Sequence, residues 1–238
     1  MSAPLRRPRR LRPGSLVGVA ALSGPVRPES LDAGVAALRG FGYQVRVARN
    51  VLETEPLLGL AGDDEARVSG YVALVEDPEV EAILFARGGY GVTRLLHRLP
   101  ERLLAETAKL HCGFSDLTAL AAFLRERCRL VSIHGPMVAA DLSAPLDAWT
   151  APFFPAVLEG RGPGRLEVPS ADVLVPGRAE GPLVGGCLSL LAALCGTPWD
   201  YDYAGALLFF EEVGEEAYRV DRMLGTLVSS GRWGRLAG

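Results

Sequence analysis

The sequence predicts an α/β protein whose N-terminal part, residues 1–163, is built around a parallel β-sheet. Short apolar runs alternate with stretches of helical period, and the alternation repeats four times. Of the 238 residues, 49% are hydrophobic and 22% are charged, as in folded globular domains. After Pro163 the helical period gives way to β-branched residues, glycine and proline. We therefore predict a second, smaller and β-rich domain over residues 164–238.

The first elements of the N-terminal part follow from local patterns. Residues 16–22 are an apolar run between Pro-Gly and Gly-Pro, which favours a buried strand over the apolar segment of a secretory signal. Leu31, Val35 and Leu38 then fall at helical spacing, and Gly40 is predicted to close that helix in a left-handed turn. "YQVRVA" alternates as a strand does. "DDEARVSGYVALVEDPEV" begins with acidic residues that suit a helix N-terminus, and "EAILFA" is an unbroken buried strand.

The next elements continue the same alternation. A helical stretch runs from Val92 to about Glu106, and the helix "LTALAAFLRER" separates two predicted strands, "KLHCGFS" and "RLVSIHGPM". In the second domain, "CLSLLAALCG" predicts a short helix closed by Gly196. "ALLFFEEVGEE" predicts a strand that ends in acidic residues, and "AYRVDRMLGTLVSSG" an amphipathic helix. Functional groups of a parallel sheet collect at the carboxyl ends of its strands.

Composition and charge exclude several kinds of partner. A net charge of -3 and a pI near 5.7 give no general attraction to nucleic acid. The arginines at positions 6, 7, 9, 10 and 12 are spaced by prolines and predict a solvated tail. The four cysteines include no C-x-x-C pair and no histidine at metal-like spacing, so we expect no metal and a reducing compartment. No segment reaches the length of a membrane span, and we expect no membrane partner.

A glycine-rich segment, "ARGGYG", follows one of the predicted strands. Gly88, Gly89 and Gly91 leave backbone N–H groups free to face a ligand. The segment is weak as a dinucleotide-binding fingerprint, because the G-x-G-x-x-G spacing is absent. A tight turn and an oxyanion-binding loop both remain open.

Ser115 lies in "GFSDLTAL", where a predicted strand turns into a helix. A serine there resembles a nucleophile elbow, in which the residue after the serine, here Asp116, donates its N–H to an oxyanion. Leu117 replaces the second glycine that usually follows such a serine. A serine that caps the helix is the alternative, because serine and aspartate commonly occupy helix starts.

A serine nucleophile needs a base, and the sequence offers three histidines. His97 lies at a predicted helix end, and His111 lies inside the strand before the serine and is expected to pack there. His134 ends the next predicted strand, where catalysis and a lining role are both open. Glu211 and Glu212 end an apolar strand, and either a solvated surface position or the orientation of a histidine suits them.

The chain resembles the L,D-carboxypeptidases of bacterial cell-wall recycling and the related microcin C immunity proteins. The resemblance rests on "LRPGSLVGVAALSGPV", "ARGGYGVTRLL", "GFSDLTAL", "HGPM", "GGCLSLLAALCGTPWD" and "LLFFEEVGEEAYRVDRML", in this order. It implies a Rossmann-like N-terminal domain and a β-rich C-terminal domain that enclose the site between them. It also implies a cytoplasmic homodimer that needs no cofactor.

The resemblance assigns a Ser-Glu-His triad and a reaction. Ser115 is the expected nucleophile, Glu211 the residue that orients the histidine, and the N–H groups of Gly89 and Asp116 the oxyanion hole. The expected reaction cleaves the amide to a terminal D-amino acid through an acyl-enzyme, with a murein tetrapeptide releasing D-alanine. Substrate contacts are expected from Arg87, Gly88, Tyr90, His134 and Arg219.

Two departures from the family pattern shape these expectations. Cys187 stands where relatives often carry an asparagine, which affects one local hydrogen bond. The family's catalytic histidine lies in a later glycine-flanked segment, and no histidine follows His134 in this sequence. We therefore expect an incomplete C-terminal domain and an impaired enzyme. The alternatives are a peptidoglycan-peptide-binding relative without activity, a microcin C-type amide hydrolase, and an enzyme whose base is His134 or a histidine of another subunit.

Overall fold

The computed structural model describes residues 4–162, 164–166 and 172–238, and a four-stranded parallel sheet forms its centre. The strand order is β2-β1-β3-β4. The strands are β1 (Leu16–Ala20), β2 (Gln44–Val47), β3 (Val80–Phe85) and β4 (Leu110–Cys112). The helices between and after them are α1 (Pro28–Gly40), α2 (Asp64–Glu76), α3 (Glu101–Thr107) and α4 (Thr118–Glu126). This arrangement confirms the predicted α/β class.

The central strands are formed by residues that can be buried on both faces. In β3, only Glu81 is less than fully buried, as expected for a strand with a neighbour on either side. Gly18 in β1 leaves room for α2, because a Cβ atom there would lie 3.0 Å from Leu74 Cδ1. Helix α2 begins where the sequence indicated, with the Asp63 carboxylate accepting the N–H of Ala66 at 2.7 Å.

Two helix predictions in this part were wrong. Gly40 is the last residue of α1, and the left-handed turn is made by Gly42 at φ +89°. The stretch from Val92 to Glu106 is two 3-10 turns followed by α3, because Pro100, which directly precedes α3, lacks the N–H that a continuous helix requires.

Residues 129–137 also do not form the predicted strand. Val131 N–H donates to Arg6 C=O at 3.0 Å, whereas Ile133 N–H donates to His111 C=O at 2.9 Å. The segment therefore pairs with two different neighbours in turn, and only isolated bridges form. It still delivers His134 to the carboxyl end of β4.

The arginine-rich N-terminal segment is not a free tail. Arg6 N–H donates to Arg129 C=O at 2.8 Å, and the Arg6 guanidinium reaches the Ala105 carbonyl. Leu11 is fully buried, and its N–H donates to Leu158 C=O at 2.9 Å. The prediction of a solvated tail failed here because apolar and backbone groups between the arginines pair with the domain.

The second part of the chain contains a two-stranded parallel sheet. Helix α5 (Thr150–Leu158) ends the first part. The second part contains β5 (Leu183–Cys187), α6 (Leu188–Leu194), β6 (Leu207–Glu211) and α7 (Ala217–Ser229), and β5 and β6 form the sheet. The predicted β-rich stretch, residues 164–186, includes residues 167–171, which lie outside the described residues. Pro163, the predicted domain boundary, also lies outside them. Residues 172–182 form no strand, so β structure begins only at Leu183. The predicted helices near 187–196 and 217–231 are confirmed.

Strand β5 packs against the start of α4. Cys187 N–H donates to Thr118 Oγ1 at 3.0 Å. Gly186 has φ +141°, and a Cβ atom there would lie 2.3 Å from Thr118 Oγ1, so the close approach requires glycine. This contact brings the ends of β5 and β6 beside the turn between β4 and α4. In the part of the chain that the structure describes, no helix has the length and apolar character to cross a membrane.

Candidate active site

Ser115 lies in the turn between β4 and α4 and has φ +62°, in the left-handed region. A residue with a Cβ atom pays roughly 1–2 kcal/mol for this conformation. A helix-capping serine has an extended backbone and accepts an N–H from the first turn. Ser115 shows neither property, and no hydrogen bond of its side chain occurs within the described residues. The turn therefore has the geometry of a strained elbow and not of a helix cap.

The glycine loop after β3, residues 86–91, lies against this elbow. A Cβ atom at Gly88 would lie 2.9 Å from Ser115 Oγ and 3.7 Å from Asp116 N. Only glycine leaves that space open for an atom of a ligand. Gly24 N–H donates to Gly88 C=O at 3.2 Å, which fixes the loop against the end of β1.

Two N–H groups at this place are free to bind an anion. Gly89, at φ +127°, donates no hydrogen bond within the described residues. Asp116 is the second residue of a helical turn, where the N–H has no acceptor inside the helix. The Asp116 side chain points into the protein and is only 2% exposed. Its backbone N–H faces Gly88, whereas its carboxylate accepts the Val92 N–H directly after the loop.

The structure brings together two of the predicted site residues, His134 and Glu211. His134 Nε2 lies 3.9 Å from Glu211 Oε1, an ion-pair distance that is too long for a hydrogen bond. The His134 ring also packs against Phe114 and Phe209, with ring centroids 5.7 and 5.1 Å away. Because Phe114 precedes Ser115, the imidazole lies near the elbow, but no hydrogen bond joins His134 to Ser115 among the described residues.

Burial shifts the pKa values of both members of this pair toward the neutral forms. Partial burial lowers the pKa of His134. Burial, and then the neighbouring Glu212, raises the pKa of Glu211. Glu211 Oε1 is buried without a hydrogen-bond partner in the described part of the chain. A neutral imidazole that faces a carboxylate suits a proton acceptor.

Glu212 has a different place from Glu211. Its carboxylate accepts the N–H of Ser189 at 2.8 Å, at the start of α6, and lies 3.6 Å from Cys187 Sγ. Cys187, the residue that departs from the family pattern, thus contacts Glu212 and donates its N–H to Thr118. Glu212 is held by α6, which leaves Glu211 as the acid that faces a histidine.

The remaining histidines lie outside the site. His111 is fully buried, with Nε2 2.8 Å from Tyr71 Oη and Nδ1 2.9 Å from Lys109 C=O, as its predicted packing role requires. Burial lowers its pKa to about 4. His97 is exposed in a 3-10 turn.

Only some of the residues predicted to contact the substrate lie near one another. Arg87 and Tyr90 flank the glycine pair, and Tyr90 is 52% exposed. The Arg87 guanidinium donates to Pro25 C=O at 3.2 Å and lines a cavity of about 560 Å³, together with Arg27. Arg219 instead donates to Glu215, which precedes α7, at 3.3 Å and to Tyr218 on α7 at 3.1 Å.

No group of three or more His, Cys, Asp or Glu side chains in the described part of the chain is placed to hold a metal ion. The arrangement is thus one of a strained serine, a glycine loop with free N–H groups and a histidine–carboxylate pair. These are the parts used by serine hydrolases.

Comparison with known proteins identifies the family. Residues 17–135 match the LD-carboxypeptidase N-terminal domain, and residues 180–238 match the LD-carboxypeptidase C-terminal domain. The chain belongs to the LD-carboxypeptidase family. The family resemblance drawn from the sequence motifs is confirmed, and with it the assignment to the carboxypeptidases.

Relatives of this LD-carboxypeptidase are known from several bacteria. A Streptomyces coelicolor protein named as a carboxypeptidase is 45% identical over 95% of this chain and 74% of its own length. A Bacillus subtilis protein named as a murein peptide carboxypeptidase is 36% identical over 98% of this chain and 73% of its own length. A muramoyltetrapeptide carboxypeptidase from Oxalobacter formigenes, whose crystal structure is known, is 32% identical in sequence. It superposes with a TM-score of 0.80, covering 93% of this chain and 74% of that one.

Proposed function

We propose that this LD-carboxypeptidase hydrolyses the amide to the terminal D-amino acid of a murein tetrapeptide and releases D-alanine through an acyl-enzyme. The observation that carries the proposal is the left-handed conformation of Ser115, with Gly88 leaving open space 2.9 Å from its Oγ. The relatives named for murein peptides and for muramoyltetrapeptide support the choice of substrate.

In this proposal Ser115 Oγ attacks the carbonyl carbon of the amide. The C–N bond breaks, the serine proton passes to the leaving amine, and water then cleaves the acyl ester to regenerate the hydroxyl. The N–H groups of Gly89 and Asp116 bind the oxyanion of each tetrahedral intermediate. One such donor contributes about 3 kcal/mol to the transition state.

The general base is a histidine that Glu211 orients. Two histidines are candidates for this base, which gives two arrangements. In the first, His134 receives the serine proton, which its 3.9 Å approach to Glu211 supports. In the second, a histidine of another subunit does so, and His134 lines the substrate site. Arg87 binds a substrate carboxylate beside Gly88 and Tyr90, and Arg219 is the second candidate for that carboxylate.

The test is incubation with a murein tetrapeptide and measurement of free D-alanine. The wild-type chain should release D-alanine, at the reduced rate of an impaired enzyme, and Ser115→Ala should not. Peptide binding by calorimetry without release overturns the enzymatic proposal in favour of a peptide-binding relative. Cleavage of a microcin-like aminoacyl nucleotide, with no action on the tetrapeptide, selects the microcin C-type hydrolase.

The proposal places the enzyme in the cytoplasm as a homodimer of two-domain chains divided after Pro163, and the family resemblance supports this. Light scattering on the purified protein measures the oligomeric state. A monomer at working concentration overturns the dimer and, with it, the second arrangement of the base.

A further inference from the structure

The Gly91–Val92 peptide unit, at the end of the glycine loop, is held on both sides by buried side chains. The Gly91 carbonyl accepts a hydrogen bond from Arg67 Nη1 at 3.1 Å. The Val92 N–H donates to Asp116 Oδ2 at 3.0 Å. Arg67 is fully buried and Asp116 is 2% exposed. This peptide plane therefore has a single orientation in the folded protein.

The same two side chains hold the chain where β1 ends. Arg67 Nη1 also donates to the Leu22 carbonyl, and the Ser23 hydroxyl donates to Asp116 Oδ2 at 2.6 Å. Ser23 is fully buried. The segments that follow β1, β3 and β4 thus meet at one buried pair, Arg67 and Asp116.

The fit around this pair is close. Gly91 has φ +121°, and a Cβ atom there would lie 2.6 Å from Arg67 Nη1. Arg67 Nη2 is held in turn by Asp64 Oδ1. Arg67 also stabilises the ionised form of Asp116, although burial raises the pKa of that carboxyl overall. Asp64 thus holds one end of the Arg67 guanidinium, and the other end donates to the Gly91 carbonyl.

We propose that Arg67 and Asp116 are positioning residues that align the two halves of the oxyanion hole. Asp116 carries one donor on its backbone, and its carboxylate holds the loop that carries the other donor, Gly89. Arg67 fixes the opposite side of the same peptide unit. The inference rests on the proposed function, because it gives these contacts a purpose in that reaction.

These contacts would act on the reaction by fixing the direction of the Gly89 N–H relative to Ser115. A displacement of about 1 Å in such a group can cost on the order of 100-fold in rate. A contact that serves only to stabilise the fold would, when removed, lower the melting temperature and leave kcat of the folded enzyme unchanged.

The experiment compares Ser23→Ala and Asp116→Asn with a matched control. Ser23→Ala removes one hydrogen bond to Asp116 without removing a charge. Tyr71→Phe is the control, because it removes another buried hydroxyl, bonded to His111 at 2.8 Å, outside the glycine loop. We expect Ser23→Ala and Asp116→Asn to lower kcat for D-alanine release by about tenfold or more, with KM nearly constant. Tyr71→Phe should leave kcat unchanged.

Two further readouts do not depend on turnover. The first is amide hydrogen exchange of residues 88–92, which should become faster in Ser23→Ala and not in Tyr71→Phe. The second is the rate at which a fluorophosphonate labels Ser115, which should fall in the same variant.

The outcomes separate this inference from the proposed function. A wild-type chain that is labelled but releases no D-alanine defeats the proposed substrate, and exchange and labelling in Ser23→Ala still decide whether the Asp116 carboxylate positions the loop. Wild-type exchange or wild-type reaction rates in Ser23→Ala overturn the positioning role. A wild-type chain that neither releases D-alanine nor is labelled overturns both.

Discussion

His134 Nε2 lies 3.9 Å from Glu211 Oε1, and this approach joins the segment after α4 to the end of β6. The two residues are 77 positions apart, from 211 minus 134, so only the packing of β5 and β6 against α4 brings them together. A carboxylate beside an imidazole fixes the orientation of the ring and stabilises the imidazolium that forms during proton transfer.

We expect His134→Gln to lower kcat for D-alanine release by roughly 100-fold or more, because general base catalysis contributes about this much. Steady-state kinetics on the tetrapeptide measure the effect. His97→Gln, at an exposed histidine, is the control and should retain the wild-type rate. A wild-type rate in His134→Gln would assign the base to a histidine of another subunit.

Ser115→Gly should be more stable than Ser115→Ala by about 1 kcal/mol, because glycine adopts φ +62° without steric cost. Urea denaturation of the two variants gives the difference in the free energy of unfolding. Both variants should be unable to form an acyl-enzyme. Equal stability of the two would show that Ser115 is not strained in solution.

Gly88→Ala should abolish D-alanine release while the protein still folds, because the new methyl group would lie 2.9 Å from Ser115 Oγ. Circular dichroism and the release assay measure fold and activity in the same sample. Gly40→Ala is the matched control, since a Cβ atom at Gly40 meets nothing within 4 Å. Substantial activity in Gly88→Ala would remove this space from the substrate site.

Arg87→Gln should raise KM for the tetrapeptide about tenfold with little change in kcat, because a charged hydrogen bond contributes about 1.5–3 kcal/mol. The Arg87 side chain lies beside the glycine pair, whereas Arg219 is already bonded to Glu215. Arg219→Gln should therefore leave KM near the wild-type value. The reverse pattern would transfer the substrate carboxylate to Arg219.

His111 should make the protein less stable in acid. Its pKa is lowered to about 4 in the folded state from an ordinary value of 6.5, so the unfolded chain binds the proton more tightly. The free energy of unfolding should therefore decrease by on the order of 3 kcal/mol from this residue as pH falls from 6.5 to 4. Urea denaturation across this range, compared with His111→Gln, isolates the effect. Parallel curves for the two proteins would contradict it.

Much of the fold was predictable because its signals are local. The four strands of the main sheet and helices α1, α2 and α4 follow from apolar periodicity and acidic helix starts. The segment 129–137 has the composition of a strand, but its partners alternate between Arg6 and His111. Which neighbour receives each N–H is a property of the packed chain, so no local pattern could predict it.

The candidate site likewise contains some residues that the sequence identifies and others that it does not. The glycine loop, Ser115 and the acidic pair at the end of β6 carry chemical signals in the sequence itself. Ser23 and Arg67 carry none, because a serine after a strand and an arginine within a helix are commonly exposed. Their burial and their shared partners appear only when the ends of β1, β3 and β4 meet.

The α/β class, the motifs of the family and the residue types that can attack an amide all follow from the amino-acid sequence alone. Three features depend on tertiary structure: Ser115 adopts a left-handed backbone, Glu211 and not Glu212 faces His134, and Arg219 is bonded to Glu215 and Tyr218. Chemical type is a property of each residue, whereas orientation and burial depend on contacts between segments far apart in the chain.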